Sequence, residues 1–324
     1  MNKNFLQKLL MMLILFGVIN FAPAVVNFGA ENFQIISVAY AEVQNDNEIL
    51  AEQKVNEGVQ LLINKNYQGG ISKFNEAIKL NANYSNAYAC RGNAYYYYLK
   101  NYEQAISDLN QAIKLDTKNS YAYLWRGDVY KDLKNYEQAI GDYTQAIKLG
   151  LNKADVYSSR GYIYYLNLEN YEQAIEDFTQ VIKLDPKNHN AYSNRAGCYK
   201  RLKNYDQAIS DYTQAAKLDP KESHYYLMRG DIYEELKNYS QAIDDYTQAI
   251  KLDPKDPDAY KYRGYCYEKL KQYEKAIKDY TQAIKLDPKD ADAYQYRGDC
   301  YEELKQYEKA EADYAKAKRL GLKL

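Results

Sequence analysis

Apolar and polar positions alternate along the chain with helical spacing, and the spacing recurs. Between Asp256 and Asp290, Tyr260, Gly264 and Tyr267 fall at i, i+4 and i+7, one face of a helix. Ala276, Tyr280 and Ala283 repeat that spacing on a second helix, where Ile277, Ile284 and Leu286 widen the apolar stripe. Gly264 and Ala276 are small, so the two helices can approach closely. Asp256 before Pro257 reads as an N-cap with proline at the first helical position. Pro288 cannot continue a helix and lies just past the second one. The unit predicted is two antiparallel helices joined by a short turn.

The tyrosine of an Asn-Tyr or Gln-Tyr step marks this unit at Tyr67, Tyr102, Tyr136, Tyr171, Tyr205, Tyr239, Tyr273 and Tyr307, in steps of 34 or 35 residues. Eight copies follow, at 51–84, 85–119, 120–153, 154–188, 189–222, 223–256, 257–290 and 291–324, behind a short lead-in at 42–50. The two longer copies carry one extra residue, near Tyr98 and Leu168. In the Asn-Tyr-Glu-Gln copies, Asn101 or Asn135 stands at a cap with Gln104 or Gln138 three residues on, as in a capping box.

The positions of Tyr260, Gly264, Tyr267, Ala276, Tyr280, Ala283 and Pro288, at a period of 34, resemble the tetratricopeptide repeat. The resemblance covers residues 51–324. Its departures are Ala82, Thr117, Leu151 and Leu322 for the closing proline, Gly70 for the alanine and Ala196 for the glycine; these put helix ends in doubt. The resemblance implies an all-α fold, a right-handed superhelical solenoid of about eight helix pairs whose concave groove binds peptides or protein segments. Some members of the family clamp acidic chaperone C-termini with Lys and Asn. Here Lys261 stands at a clamp-like place, but Tyr265 stands where Asn is needed, so that function is not carried over.

Three comparisons among the copies add detail. Ile277 and Ile284 become Glu311 and Lys318 in copy eight, and copy one has Lys54 where the others have tyrosine. Polar end faces are what a solenoid requires, and they predict that the array is complete. Copies two to eight carry Arg91, Arg126, Arg160, Arg195, Arg229, Arg263 and Arg297. The same copies carry Asp108, Asp142, Asp177, Asp211, Asp245, Asp279 and Asp313. Copy one reverses both signs, with Glu57 and Lys73. A double reversal inside one copy predicts pairs within copies; as exposed pairs they would contribute only about 0–1 kcal/mol each. The third comparison concerns cysteine. Cys198, Cys266 and Cys300 share a position filled elsewhere by Ala94, Val129, Ile163 and Ile232, a small or medium apolar site. Equivalent positions on stacked helices lie roughly 8–10 Å apart, beyond the alpha-carbon reach of a disulfide, about 7 Å. With Cys90, four free thiols are expected.

First-helix positions turned away from the second helix are where the resemblance places groove contacts, and these vary between copies. Copies two to four offer Asn93, Tyr96, Tyr97, Asp128, Tyr162 and Tyr165, an aromatic-rich set. Copies six to eight offer Asp231, Glu234, Glu235, Lys261, Tyr265, Glu268, Lys269, Asp299, Glu302 and Glu303, largely acidic. Lys200 and Arg201 of copy five lie between them. The groove expected is one for an extended segment, apolar or aromatic at one end and basic at the other. The alternative is merely soluble surface.

Composition narrows the function further. The 39 tyrosines reflect a reused packing position, not by themselves a binding site. A net charge of −1 offers no clustered basic surface for nucleic acid. His189 and His224, both at repeat starts, read as solvent-exposed loop residues. No Cys/His cluster has zinc spacing and no Gly-rich phosphate loop occurs. Trp125 fits core filling or groove contact equally. No cofactor and no catalytic group is expected, and no residues remain for a catalytic domain.

Lys3 and Lys8 precede the apolar run Leu9 to Ile19, the form of a secretory signal over residues 1–41. Cleavage is expected after Ala41, in Ala39-Tyr40-Ala41, or after Ala24, in Ala22-Pro23-Ala24. An uncleaved segment would anchor the chain in a membrane. The expectation is an exported scaffold, in the periplasm, at the cell surface or secreted, that binds a protein or peptide. A glycan- or cell-wall-binding module is the alternative. Retention on purified wall material without protein would favour the latter.

Overall fold

A computed structural model describes residues 30–322, with the backbone alone for 30–42 and 44. The apolar run at Leu9 and the Ala22-Pro23-Ala24 step lie outside the described residues. Every described element is helical, and none is long and apolar enough to cross a membrane. The chain divides into two compact units, Met1–Leu151 and Asn152–Leu324.

Unit one holds copies one to three: α1 (Ala30–Ile63) with α2 (Tyr67–Leu80), α3 (Ser85–Tyr97) with α4 (Tyr102–Leu115), and α5 (Ser120–Asp132) with α6 (Tyr136–Lys148). The expected lead-in at 42–50 is part of α1, which runs unbroken into the first copy. Unit two holds five pairs. The first is α7 (Ala154–Tyr162), prolonged by a π-turn at Ile163–Asn167, with α8 (Tyr171–Leu184). The others are α9 (His189–Arg201) with α10 (Tyr205–Leu218), α11 (Ser223–Glu235) with α12 (Tyr239–Leu252), α13 (Pro257–Lys269) with α14 (Tyr273–Leu286), and α15 (Ala291–Glu303) with α16 (Tyr307–Arg319). Within each unit a second helix also packs on the first helix of the next copy.

Each pair packs an aromatic or leucine from its second helix against a small residue of its first. Tyr280 is fully buried, and a Cβ on Gly264 would lie 3.0 Å from its ring. Phe74, Leu109, Tyr143, Phe178, Tyr212 and Tyr246 hold the equivalent place. Where Ala196 replaces the glycine, Tyr212 stays buried, so the substitution is absorbed.

The turns inside the copies share one geometry. A residue with positive φ follows the first helix each time: Lys65, Lys100, Lys134, Glu169, Lys203, Lys237, Lys271 and Lys305. The next amide returns to the helix, as Asn135 N to Tyr130 O at 2.8 Å, closing a Schellman-type end. The extra residue of copy two enters this turn, and Asn101 N reaches back six residues to Tyr95 O. In copy four Asn170 N likewise reaches back six residues to Tyr164 O, but there the end of the helix also widens into the π-turn, with Leu168 N bonded to Ile163 O at 3.1 Å. Asn101 caps α4 by accepting from Gln104 N, but Gln104 turns its amide to Asp108, so no capping box closes. Asn135 makes no side-chain cap bond.

The closing proline is not what stops the second helices. α2 and α4 end at Leu80 and Leu115, as α12 and α14 end at Leu252 and Leu286, although Ala82 and Thr117 replace proline. Asn81 and Asp116 accept from the amide two residues on, as Asp253 and Asp287 do. This Asx turn is the shared stop signal. α6 and α16 end differently. Gly150 and Gly321 take φ of 91° and 104°, and Leu151 N and Leu322 N bond back to Ala146 O and Ala317 O. The two units therefore finish alike.

All seven Arg–Asp pairs form within their copies. Glu57 and Lys73 meet in reversed sense at 3.2 Å. The seven pairs are not the exposed pairs expected. Their aspartates are buried, Asp177 to 2% exposure, because the second helix presses this face onto the first. The four thiols are free, three of them fully buried. At the ends, Glu311 and Lys318 are exposed where Ile284 is buried. A hollow of about 680 Å³ on α1 is lined by Gln53, Asn56, Glu57 and Gln60 among others, an amide-rich face.

Candidate functional site

Because each copy presents its first helix in the same register, the variable positions form a row along each unit. In unit one this row holds Asn93, Tyr96, Tyr97 and Asp128. Tyr96 is only 8% exposed, belongs to the core cluster with Leu109 and Val129, and donates its hydroxyl to Asp132 at 3.0 Å. It is a packing residue, not a groove contact. Tyr97 is 63% exposed, and Asn93 is half-buried. Tyr98 stacks on Tyr67 at 4.4 Å, and the Lys100 ammonium lies over the Tyr96 and Tyr97 rings. Trp125 is half-buried against the same core cluster, which favours core filling.

Asp128 shows what the variable carboxylates do. It accepts the Tyr143 hydroxyl at 2.7 Å, and burial pushes its carboxyl above the usual range. The pattern recurs in unit two. Tyr246 donates to Glu234 at 3.1 Å and Tyr280 to Glu268 at 3.0 Å. The Tyr314 hydroxyl lies 2.8 Å from both Asp299 Oδ1 and Glu302 Oε2. Copies with Phe74, Leu109 or Phe178 at the tyrosine position carry no carboxylate at these first-helix places. The acidic residues are thus coupled to the core and only partly free surface. The covariation was readable in the sequence, with copy five as the exception, where Tyr212 accompanies Gly197 and Lys200.

Each carboxylate engaged in this way keeps a second oxygen for other contacts, which in Glu268 meets Lys269. Burial pushes Glu234 up to about 7, against the lowering effect of the Tyr246 hydrogen bond, with Asp231 and Glu235 adding to the rise. Asp299 is raised by burial, and neighbouring Glu268 and Glu302 raise it further. Behind the carboxylates lies a layer of rings. Tyr246 and Tyr262 are 5.9 Å apart, Tyr280 and Tyr296 5.8 Å, and Tyr265 and Tyr296 6.2 Å.

The lysines of this row are engaged. Lys200 pairs with Asp231 and lies 3.4 Å from Glu235, which also accepts the Tyr205 hydroxyl at 2.7 Å. Lys261 bonds Asp290 at 2.9 Å and Asp258 at 3.0 Å, so it faces the helix start of the next copy instead of standing free as a clamp. Lys269 pairs with Glu268 and covers the Tyr265 ring at 4.4 Å. At the other end, Tyr162 accepts from Asn194 at 2.8 Å and stands edge-on to Phe178. Tyr165 is half-buried.

One expectation about histidine changes. His189 is half-buried, with Nδ1 2.6 Å from the hydroxyl of Tyr225, a tyrosine that fills a position held by alanine in most copies. Only His224 is exposed. Among the described residues no group of His, Cys, Asp or Glu is placed to hold a metal ion.

Comparison with known proteins agrees with the repeat architecture. A profile described as tetratricopeptide repeat matches residues 154–188, 189–222 and 257–290. A TPR repeat profile matches 96–134, 127–167 and 230–271, and another tetratricopeptide repeat profile matches 279–312. No curated relative matches the chain. The C-terminal part of a TPR repeat-containing protein from Cytophaga hutchinsonii is similar in fold, with a TM-score of 0.64 at 22% identity over 75% of this chain and 98% of that one. YrrB, described as a TPR protein with an unusual peptide-binding site, has a TM-score of 0.53 at 22% identity over 56% of this chain and 92% of its own. Helix pairs, period and matched segments coincide, and the chain belongs to the tetratricopeptide repeat family.

Proposed function

We propose that the chain is an exported, non-catalytic scaffold that binds an extended, partly basic segment of a protein partner along the first-helix face of unit two. The observation that carries this is the set of carboxylates on α11, α13 and α15 held from beneath by Tyr246, Tyr280 and Tyr314. Acceptors fixed by buried hydroxyls lose little freedom when a Lys or Arg side chain arrives, which favours binding. A ring layer behind them adds apolar contact for the segment's stems. YrrB, of the same fold, is described with a peptide-binding site.

Export rests on Lys3, Lys8, the apolar run from Leu9 and the Ala39-Tyr40-Ala41 step. N-terminal sequencing of the protein from its native cells tests it; a chain still beginning at Met1 in the soluble cytoplasmic fraction would refute it. Binding is tested by crosslinking and mass spectrometry on intact cells expressing the chain or Asp299→Lys/Glu302→Lys/Glu303→Lys. Loss of the principal crosslinked partner is expected. If every partner remains bound to the folded triple variant, the acidic face is not the binding surface.

A further inference from the structure

Copy four differs from the other copies of unit two in one structural device, the π-turn at Ile163–Asn167. Such single-turn bulges re-aim side chains and are frequent at functional places. Here Tyr165 is laid against the backbone of Gly197 in the next copy. A Cβ on Gly197 would clash with the Tyr165 hydroxyl. Other copies of the unit carry Tyr162, Asp231, Tyr265 and Asp299 at the Gly197 position. At this one step the row therefore has a phenol floor in place of a projecting side chain.

Beside that floor stands Leu166, 63% exposed, with Tyr162 at 39%. The position of Leu166 is filled in the following copies by Arg201, Glu235, Lys269 and Glu303. Three of those four charges are engaged: Glu235 by Lys200 and Tyr205, Lys269 by Glu268, and Glu303 by the Tyr273 hydroxyl at 3.2 Å. Arg201 is exposed and has no ion-pair partner among the described residues. Its charge reaches Tyr165, where it opposes the upward push of burial on the phenol. An uncovered leucine and an uncompensated guanidinium thus stand at equivalent places on adjacent copies.

We propose that Leu166, Tyr162, Tyr165 and Arg201 form a docking point for a partner segment carrying a bulky apolar side chain close to a carboxylate. This rests on the scaffold reading and gives the bound segment a direction: apolar and acidic over copies four and five, basic over copies seven and eight. Equivalent first-helix positions lie roughly 10 Å apart, and an extended chain advances about 3.3 Å per residue. The carboxylate therefore follows or precedes the apolar residue by two or three positions. Charge sets the pairing: Arg201 accepts only an anionic neighbour, while the tyrosine-held carboxylates downstream reject one.

Fluorescence anisotropy with the full chain tests this, using labelled synthetic peptides made in both chain directions. The reference peptide carries Phe-Gly-Ser-Glu at one end and Lys-Ser-Lys at the other. A second has Lys in place of the Glu, and a third has Ser in place of the Phe. The chain is expected to bind the reference about tenfold tighter than either. Arg201→Glu should invert the order of the first two peptides, and Leu166→Ser should abolish the difference between the first and third. Equal binding of all three by the wild-type chain, no binding at all, or an unchanged order with Arg201→Glu would overturn the docking point. The Asp299→Lys/Glu302→Lys/Glu303→Lys variant separates the two readings. If it retains binding while Arg201→Glu inverts the order, the acidic face fails and the docking point stands.

Discussion

Arg263 grips Asp279 with two parallel bonds, Nε to Oδ2 at 2.7 Å and Nη2 to Oδ1 at 2.8 Å, while its third nitrogen donates to Thr247 at 3.0 Å. One guanidinium so ties three helices: its own, its partner in the copy, and the second helix of the preceding copy. Asn75, Asn110, Thr179, Thr213 and Thr281 receive the equivalent third bond. Arginine suits this place because its planar fork satisfies a carboxylate and still has a donor to spare. The pair is 17% and 6% exposed at its two ends, against 28% and 45% for Lys73 and Glu57.

Removing one partner should therefore have unequal effects in the two settings. Asp279→Ala leaves a largely buried cation without its anion and should destabilise the surrounding copies by about 3 kcal/mol. Glu57→Ala should cost far less, because a solvent-exposed ion pair contributes little to stability. Repeat arrays need not unfold in one step, so the measurement is hydrogen exchange of the amides in α13, α14 and α15 against those in α1 and α2. Equal loss of protection in both variants would contradict the distinction.

The burial of the Glu234 carboxyl predicts a pH dependence of stability, opposed in part by its hydrogen bond from Tyr246. The folded carboxyl sits at about 7, above the unfolded value of 4.5. Below about pH 4.5 it is protonated in both states and contributes no difference. Between 4.5 and 7 the unfolded chain has released its proton while the folded chain still holds it, so this group's contribution falls as pH rises, and the loss is complete above 7. Glu234→Gln should thus be more stable than the wild type at pH 8 and little different at pH 4. Tyr246→Phe should push the titration higher still, since that hydroxyl favours the charged form. Urea unfolding of the three proteins from pH 4 to 8 checks this; parallel curves would exclude it.

Much of this arrangement was legible in the sequence because it is written eight times. A single Arg and Asp on neighbouring helices suggest little, but their joint reversal at Glu57 and Lys73 pointed to a pair within the copy, and the pair is there. Burial was harder to read, since an aspartate on a helix face resembles solvated charge until the second helix is packed over it. Tyr96 illustrates the same difficulty: Tyr95, Tyr96 and Tyr97 of a run of four tyrosines differ in burial by their angle around α3, so Tyr96 is core while Tyr97 is exposed. The link between a second-helix tyrosine and a first-helix carboxylate was available from the copies with Phe74, Leu109 and Phe178. The π-turn was not. One extra residue announces an adjustment, but copies two and four share the longer reach back in the turn and only copy four also widens its helix. The division at Leu151 was marked only by Gly150, which ends α6 as Gly321 ends α16.

The cysteines offer a sharp contrast between folded and unfolded protein. Cys198, Cys266 and Cys300 have no exposed surface, and burial pushes Cys198 and Cys300 up to about 12 and Cys90 to about 11. Thiolate is the reactive form, so the three buried thiols of folded protein at pH 8 should react with a thiol reagent only as fast as the fold opens. In denaturant without reductant, four thiols should titrate. A count of two or none would reveal a disulfide and contradict the geometry.

The eight turn residues provide the last prediction. Lys237 takes φ of 58°, and lysine occupies seven of the eight such places, with Glu169 at the other. A side chain in this left-handed region is disfavoured by the approach of its Cβ to the backbone, and glycine escapes that cost. The hydrogen bonds of the turn come from backbone groups, such as Asn238 N to Tyr233 O at 2.8 Å, and survive any substitution that keeps φ. Lys237 is exposed, and among the described residues its side chain has no partner that glycine would remove. Lys237→Gly should therefore stabilise the fold by about 0.5–1 kcal/mol despite the greater freedom of the unfolded chain. Alanine at the same place should show no such gain, because it keeps the Cβ. Midpoints of denaturant unfolding for the two variants separate the explanations: a gain shared by both would mean that loss of the lysine charge matters, and a gain confined to glycine means that the backbone does.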